Sequence, residues 1–304
     1  MNNKKVTILD GGMGRELARL GAPFRQPEWS ALAMMEAPDV VKDVHLSFIN
    51  SGSQVITTNS YALVPFHIGE ERFSSDALQL ITLAGQKARE AVEESRTETL
   101  VAGSLPPLFG SYRADLYQPE RVEAIATPLI NGLKSYADLW LAETQSLIAE
   151  AKALKTMVDK LTTDHKPFWV SFTLEDAEPT EVPVLRSGET VVSAVKEMVK
   201  MDVDAILFNC SQPEIIEEAL KVTYQELEKE EKLSVKLGAY ANAFPPQPKD
   251  ATANEGLDEI RADLTPPAYL AWAEKWKDQG ATLIGGCCGI GPEHIKELAA
   301  HLNK

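Results

Sequence analysis

The sequence predicts an α/β protein, a single (β/α)₈ barrel domain over residues 1–304. Eight short runs are rich in β-branched or apolar residues, and amphipathic helical patterns lie between them. The runs recur at intervals of roughly 30 to 47 residues, the arithmetic of eight strand–helix units. Most are apolar on consecutive positions, as strands buried on both faces of a parallel sheet are. A length prior of about 150 residues per domain suggests two domains, but single α/β barrels commonly exceed about 250 residues.

In chain order, the first strand is "VTILD" at 6–10, ending in Asp10. Pro38 and Asp39 then open a helix whose Val41, Val44 and Phe48 share one face, since proline and acids suit a first helical turn. "QVITTN" at 54–59 is the second strand, and Ala77, Leu80, Ile81 and Ala84 mark the helix before "TLVAGS" at 99–104. Gln118, Pro119 and Glu120 start the next helix, ahead of "LWLAET" at 139–144 and "FWVSFTL" at 168–174. Val192, Val195 and Val199 then keep helical spacing before "AILFNC" at 205–210 and "KLGAYAN" at 236–242. Tyr269, Trp272, Ala273 and Trp276 form a stripe of the kind that packs into a core, and "TLIGG" at 282–286 is the eighth strand. Pro292 and Glu293 open the last helix, which carries Ile295, Leu298, Ala299 and Leu302 on one face. An open doubly wound sheet could hold as many strands, but the glycines of "DGGMGRELARLG" do not space as the dinucleotide fingerprint does. Two irregular segments, 103–120 and 243–267, follow strands and so fall on the active-site face as long loops.

Composition narrows the partners. A net charge of −15 argues against nucleic acid and anionic membranes, which draw affinity from clustered Lys and Arg. Small molecules are the expected partners. The apolar run near the N-terminus is too short for a signal peptide, and none approaches the ~18 residues of a membrane span, so a cytoplasmic location is expected. Three cysteines cannot make a disulfide framework, and a reducing compartment would keep them as thiols.

All three cysteines fall at strand ends: Cys210 after the sixth strand, Cys287 and Cys288 after the eighth. Three sulfur ligands with an open fourth position suit a catalytic zinc, which prefers tetrahedral coordination and accepts thiolates. Gly285, Gly286 and Gly289 would give the backbone freedom to aim two adjacent side chains at one metal. Buried structural thiols, a vicinal redox pair and coincidence are the competing explanations. Zn²⁺ with three thiolates carries −1, and a fourth makes −2, a site better at delivering a nucleophilic substrate thiolate than at activating water. No protein nucleophile is required.

Asp10 and Glu143 also sit at strand ends, where buried carboxylates need a cation. A substrate α-amino group would serve, and an internal pair with Arg15 or Arg113 would serve equally. Gly11 and its neighbours could offer backbone N–H groups to a substrate carboxylate, while Asn59 and Asn242 occupy further strand ends. His45, His67, His165, His294 and His301 fall mostly on helices or polar loops and are set aside, because sulfur already fills the metal site.

With these residues assembled, the chain resembles the zinc-dependent homocysteine S-methyltransferase family, most closely its stand-alone members that use S-methylmethionine. "LDGGMGRELARLG", "HLSFINSGSQVITTNSY", "LAET", "SFTL", "NCS" and "LIGGCCGIGPEHI" carry the resemblance over essentially the whole chain. It implies one Zn²⁺ per chain held by Cys210, Cys287 and Cys288. Homocysteine would be the fourth ligand, its amino group near Asp10 and Glu143, and methionine the product. By size the chain looks like members whose donor is S-methylmethionine or S-adenosylmethionine. A sulfonium cation also suits an anionic thiolate site and the aromatic faces of Phe109, Tyr112, Tyr117 and Phe244 on the long loops. The chain departs from many relatives at Gly289 to Pro292, at "ANAFPPQP" and at "SLPPLFGSYRADLY", where a donor would bind. Another thiol or selenol acceptor, a donor such as betaine, and a non-enzymatic metal-binding or redox-sensing barrel are the alternatives. Oligomeric state is left open.

Overall fold

The structure, a computed structural model, describes residues 5–177, 182–248 and 259–303. Eight parallel strands form the sheet: β1 (Thr7–Ile8), β2 (Val55–Thr57), β3 (Leu100–Leu105), β4 (Leu139–Gln145), β5 (Phe168–Phe172), β6 (Ala205–Asn209), β7 (Lys236–Tyr240) and β8 (Ala281–Ile284). Each predicted run contains or overlaps one of them. Ladders connect the strands in the order β1-β8-β7-β6-β5-β4-β3-β2. Only the β1/β2 seam lacks a regular ladder, and polar groups bridge it. Gln54 N donates to Ile8 O (2.7 Å), the Gln54 side chain accepts from Ile8 N (3.0 Å), and the Asp10 carboxyl accepts from Thr57 N (2.7 Å). The result is a nearly closed (β/α)₈ barrel.

The connections are helical: α1 (Met13–Arg19), α2 (Ala31–Glu36), α3 (Pro38–Asn50), α4 (Pro65–Ile68), α5 (Glu70–Ser95), α6 (Val122–Leu133), α7 (Ile148–Leu161), α8 (Val191–Lys200), α9 (Pro213–Lys229), α10 (Pro266–Asp278) and α11 (Pro292–His301). Pro38 and Pro292 open α3 and α11 as expected, whereas Pro119 opens a 3₁₀ turn and α6 begins at Val122. On α8 the buried stripe is Val191, Ala194, Val195 and Met198, with the expected Val199 half-buried against the same core; the expected Val192 is half-buried and outside it. The stripe keeps its 3.6-residue period but runs through a small alanine and a flexible methionine, which signal a core less strongly than valine does.

Two apolar layers result. Leu9, Val55, Ala102, Leu139, Leu141, Trp169, Leu207 and Leu283 alternate along their strands and fill the barrel. A larger shell, including Phe48, Trp140, Tyr269 and Trp276, packs strands against helices. Phe48 on α3 reaches the turn after β1, where a side chain at Gly11 would meet its ring at 2.7 Å. The core therefore shapes the C-terminal rim directly. No helix among the described residues is long and apolar enough to cross a membrane. Part of the segment 243–267 lies outside the described residues.

Candidate metal centre and active site

The rim brings the three cysteines together, with their sulfurs all within 4.8 Å of one another. The end of β7 supports both cysteine turns: Cys210 N donates to Tyr240 O (3.3 Å), Cys287 N to Ala241 O (2.8 Å), and Ala243 N to Cys288 O (2.8 Å). Asn209, one residue before Cys210, is buried inside the barrel. It accepts from Thr144 N (3.0 Å) and Ser171 Oγ (2.7 Å) and donates to Thr144 Oγ1 (2.8 Å). Tyr112, Thr144 and Cys210, all lining the cavity, hold left-handed backbone at φ of 67°, 57° and 51°. Non-glycine residues adopt that region only where surroundings compel it, and such strain gathers at functional sites.

The glycines beside the cysteines divide into two roles, which corrects the single role expected. Gly286 is needed for close approach, since a Cβ there would lie 2.2 Å from Ile290 Cγ2. Gly289 alone supplies a left-handed turn, at φ +83°, and a Cβ there would crowd Ala243 Cβ at 2.9 Å. Gly289→Ala is expected to destabilise the protein by about 1–2 kcal/mol, from left-handed strain with little relief from packing. Urea unfolding at constant slope checks it.

The thiols are electrostatically unequal. Hydrogen bonds from Cys287 and Cys288 come first in holding Cys210 well below the usual thiol range, with Tyr112 and Asn242 adding to them. The Tyr112 hydroxyl donates to Cys210 Sγ at 3.0 Å, and Asn242 Nδ2 lies 3.9 Å from it. Bonding to the Cys210 sulfur in turn pushes Cys287 and Cys288 up. Cys210 is thus the easiest of the three to deprotonate, and a bound cation would favour loss of the other two protons. A tetrahedral metal with ~2.3 Å bonds to sulfur sets its ligands ~3.8 Å apart, so the cluster fits such an ion with little movement.

A cavity of about 320 Å³ opens above the sulfurs. Asp10, Gly11, Asn59, Glu143 and all three cysteines line it. Asn242 does not. It lies behind Cys210, accepting from Phe244 N (3.3 Å) and from Gln212 Nε2 (3.4 Å), so its place is in the support of the sulfur. Asn59 lines the wall and donates to Ser30 O (3.1 Å). The Asp10 carboxyl accepts from Thr57 N and Thr57 Oγ1, and Glu143 accepts from Ser104 Oγ. Burial raises Asp10 to about 7 and Glu143 to about 8, and the neighbouring Asp10 adds to the rise at Glu143. Among the described residues neither acid is in a salt bridge; Arg113 forks onto Asp115 (2.8 Å), and the Arg15 guanidinium lies 5.7 Å from the Phe244 ring centroid.

The aromatic wall differs in part from expectation. Tyr112 and Phe244 line the cavity, whereas Phe109 and Tyr117 do not; their rings meet edge to face at 5.7 Å. Trp29, Tyr61, His67 and Tyr240 also line it and were not anticipated. Tyr240 lies on a strand read only as apolar, and Trp29 and His67 come from segments with no periodic signal. His67 is buried, with Nδ1 3.0 Å from Pro27 O, and burial lowers its pKa.

Residues 7–302 match the family described as homocysteine S-methyltransferase. The chain belongs to that family. Its relatives include the homocysteine S-methyltransferase of Escherichia coli K12, 30% identical over 99% of this chain and 96% of that protein. The homocysteine S-methyltransferase YbgG of Bacillus subtilis is 27% identical over 97% and 94%, and a selenocysteine Se-methyltransferase of Brassica oleracea is 26% identical over 97% and 88%. The crystal structure of the E. coli homocysteine methyltransferase MmuM in its metallated form superposes with a TM-score of 0.77 at 27% identity, covering 98% of this chain and 96% of that one. Family membership makes this chain an S-methyltransferase, and its cysteine cluster is one that could hold a metal.

Proposed function

We propose that the protein transfers a methyl group from a sulfonium donor, S-methylmethionine or S-adenosylmethionine, to the thiol of homocysteine, giving methionine, with one zinc held by Cys210, Cys287 and Cys288. The observation that supports this most is one cavity joining the three sulfurs to two buried acids that make no salt bridge among the described residues. Zinc bound there would keep an acceptor thiol deprotonated at neutral pH while leaving its sulfur nucleophilic.

The chain's own residues do the rest. Asp10 and Glu143 take the acceptor's ammonium, which supplies the charge their burial demands. Thr57 and Ser104 donate to the two carboxyls and hold them in place, and each carboxylate has further lone pairs to offer the substrate. Gly11, in the rim of the cavity, offers its backbone to the acceptor's carboxylate, while the space a side chain there would need is taken by Ile290 O and the Phe48 ring. Tyr112, Phe244 and Trp29 present aromatic faces to the donor cation. In the transfer the acceptor sulfur forms its bond to the methyl carbon as the donor's sulfur–methyl bond breaks. The electron pair returns to the donor sulfur, which leaves as a neutral thioether.

Offering S-methylmethionine, S-adenosylmethionine, betaine and methyltetrahydrofolate side by side, with homocysteine or selenocysteine as acceptor, tests the proposal. Methionine is expected from the sulfonium donors and homocysteine, with about one zinc per chain by metal analysis of protein kept from chelators. Absence of zinc from such protein, or transfer from betaine alone, would sink it.

A further inference from the structure

Outside the substrate-facing residues, the most conspicuous buried charge belongs to Arg186, on the loop between β5 and α8. Its side chain is 1% exposed. The guanidinium carbon lies 4.8 Å from the centroid of the Tyr112 ring. Nη1 donates to Gln247 O (3.1 Å) and Pro248 O (3.2 Å), while Nη2 lies 3.5 Å from Asp176 Oδ1. Nε and Nη2 have no hydrogen-bond acceptor among the described residues. Two backbone carbonyls, the carboxyls of Asp176 and Glu175 and the Tyr112 ring therefore hold this group together. Asp176, its ionic partner, accepts from Gln212 N (3.1 Å) and Gln247 N (3.2 Å), so the cation sits where the loops after β3, β5, β6 and β7 meet.

Tyr112 needs such a support. Its backbone is left-handed at φ 67°, on a long loop, yet its hydroxyl meets Cys210 Sγ at 3.0 Å. A cation on one face of a phenol ring fixes the ring plane and withdraws electron density, which strengthens the hydroxyl as a donor. Arginine suits this because its planar guanidinium stacks on an aromatic face as lysine's ammonium does not.

We propose that Arg186 is a positioning residue for the metal centre: stacked on Tyr112, it holds the Tyr112 hydroxyl on Cys210 Sγ. The hydrogen bond draws charge from one ligand sulfur of three. Cys210 then donates less to the metal than Cys287 and Cys288 do, leaving the metal better able to keep an acceptor thiol deprotonated. Partners of metal ligands act in this way, and their loss commonly weakens metal binding 10–100-fold. The inference rests on the metal reading above.

Cobalt(II) is the probe, since cobalt bound by thiolates has a charge-transfer band that moves to lower energy as the sulfur loses a hydrogen bond. Tyr112→Phe is expected to shift the band and to weaken cobalt binding about tenfold in competition with a chelator. Arg186→Met should reproduce the direction of both changes, and the double variant should exceed Tyr112→Phe by little, because the arginine acts through the tyrosine. Arg186→Lys keeps a charge beside Asp176, and with it the fold, yet lacks the planar stack; it should shift the band the same way. A wild-type protein without a thiolate–cobalt band would overturn the metal reading itself. A normal wild-type band, with Arg186→Lys and Arg186→Met both unshifted or strictly additive with Tyr112→Phe, would overturn only the role of Arg186.

Discussion

Replacing Cys210 by alanine is expected to lower kcat/KM by at least about 10³-fold, roughly 4 kcal/mol of transition-state stabilisation, and to take the bound metal with it. Cys210 is the most readily ionised member of the cluster, held so by two thiol hydrogen bonds and the Tyr112 hydroxyl. Removing it deletes a ligand and also the sulfur whose hydrogen bonds raise Cys287 and Cys288. In the metal-free variant those two thiols should titrate at lower pH than in the metal-free wild type, which reaction with a thiol reagent across pH measures. Cys288→Ala should abolish metal and activity alike but leave Cys210 as a depressed thiol, since Cys287 still donates to it. The two variants thus separate loss of a ligand from loss of the most readily ionised thiol. Retention of stoichiometric metal and of activity within tenfold in Cys210→Ala would overturn the assignment of the centre. The fold itself should survive, because the apolar shell around the strands does not use the cysteine sulfurs.

The barrel was legible because its strands are buried on both faces: β4, from Leu139 to Gln145, has every residue buried, and such a run has no reading as an exposed helix face. The cysteines were legible because strand ends on a barrel point at one place, so position along the chain translates into convergence in space. Asn242 shows the limit of that rule. It too follows a strand, but its side chain turns behind Cys210, and one residue of register decides which face a strand-end side chain takes. The aromatic wall was half legible for a different reason. Phe109 and Tyr117 sit on the same loop as Tyr112 but pack on each other and against the apolar shell, contacts that composition does not encode. Arg186 carried no local signal either, because its role depends on the loop after β3 meeting the loop after β5.

Glu143→Gln is expected to separate binding from stability. Glu143 is buried against Ser104 Oγ with Asp10 as a like-charged neighbour, and its pKa stands at about 8 in the free protein, burial being the largest cause. An unfolded glutamate titrates near about 4.3, so as pH rises the unfolded chain releases this proton first, and stability falls from about pH 4.5 up to about pH 8. Glutamine has no such proton. The variant should therefore be more stable than the wild type near pH 8, by up to about 5 kcal/mol, and equal to it near pH 4, as denaturant unfolding at the two pH values reads. Acceptor binding should move the other way. An ammonium entering between Asp10 and Glu143 favours their ionised forms, so wild-type KM for homocysteine should fall as pH rises through 6 to 8, the range set by about 7 at Asp10 and about 8 at Glu143. Losing a charged hydrogen bond of about 2–3 kcal/mol should raise that KM about 30- to 150-fold in Glu143→Gln, flatten its pH dependence and leave kcat within a few-fold. A thiol acceptor without an amino group should serve both proteins equally. An unchanged KM for homocysteine, or an equal loss with the amine-free thiol, would show that these acids do not face the substrate ammonium.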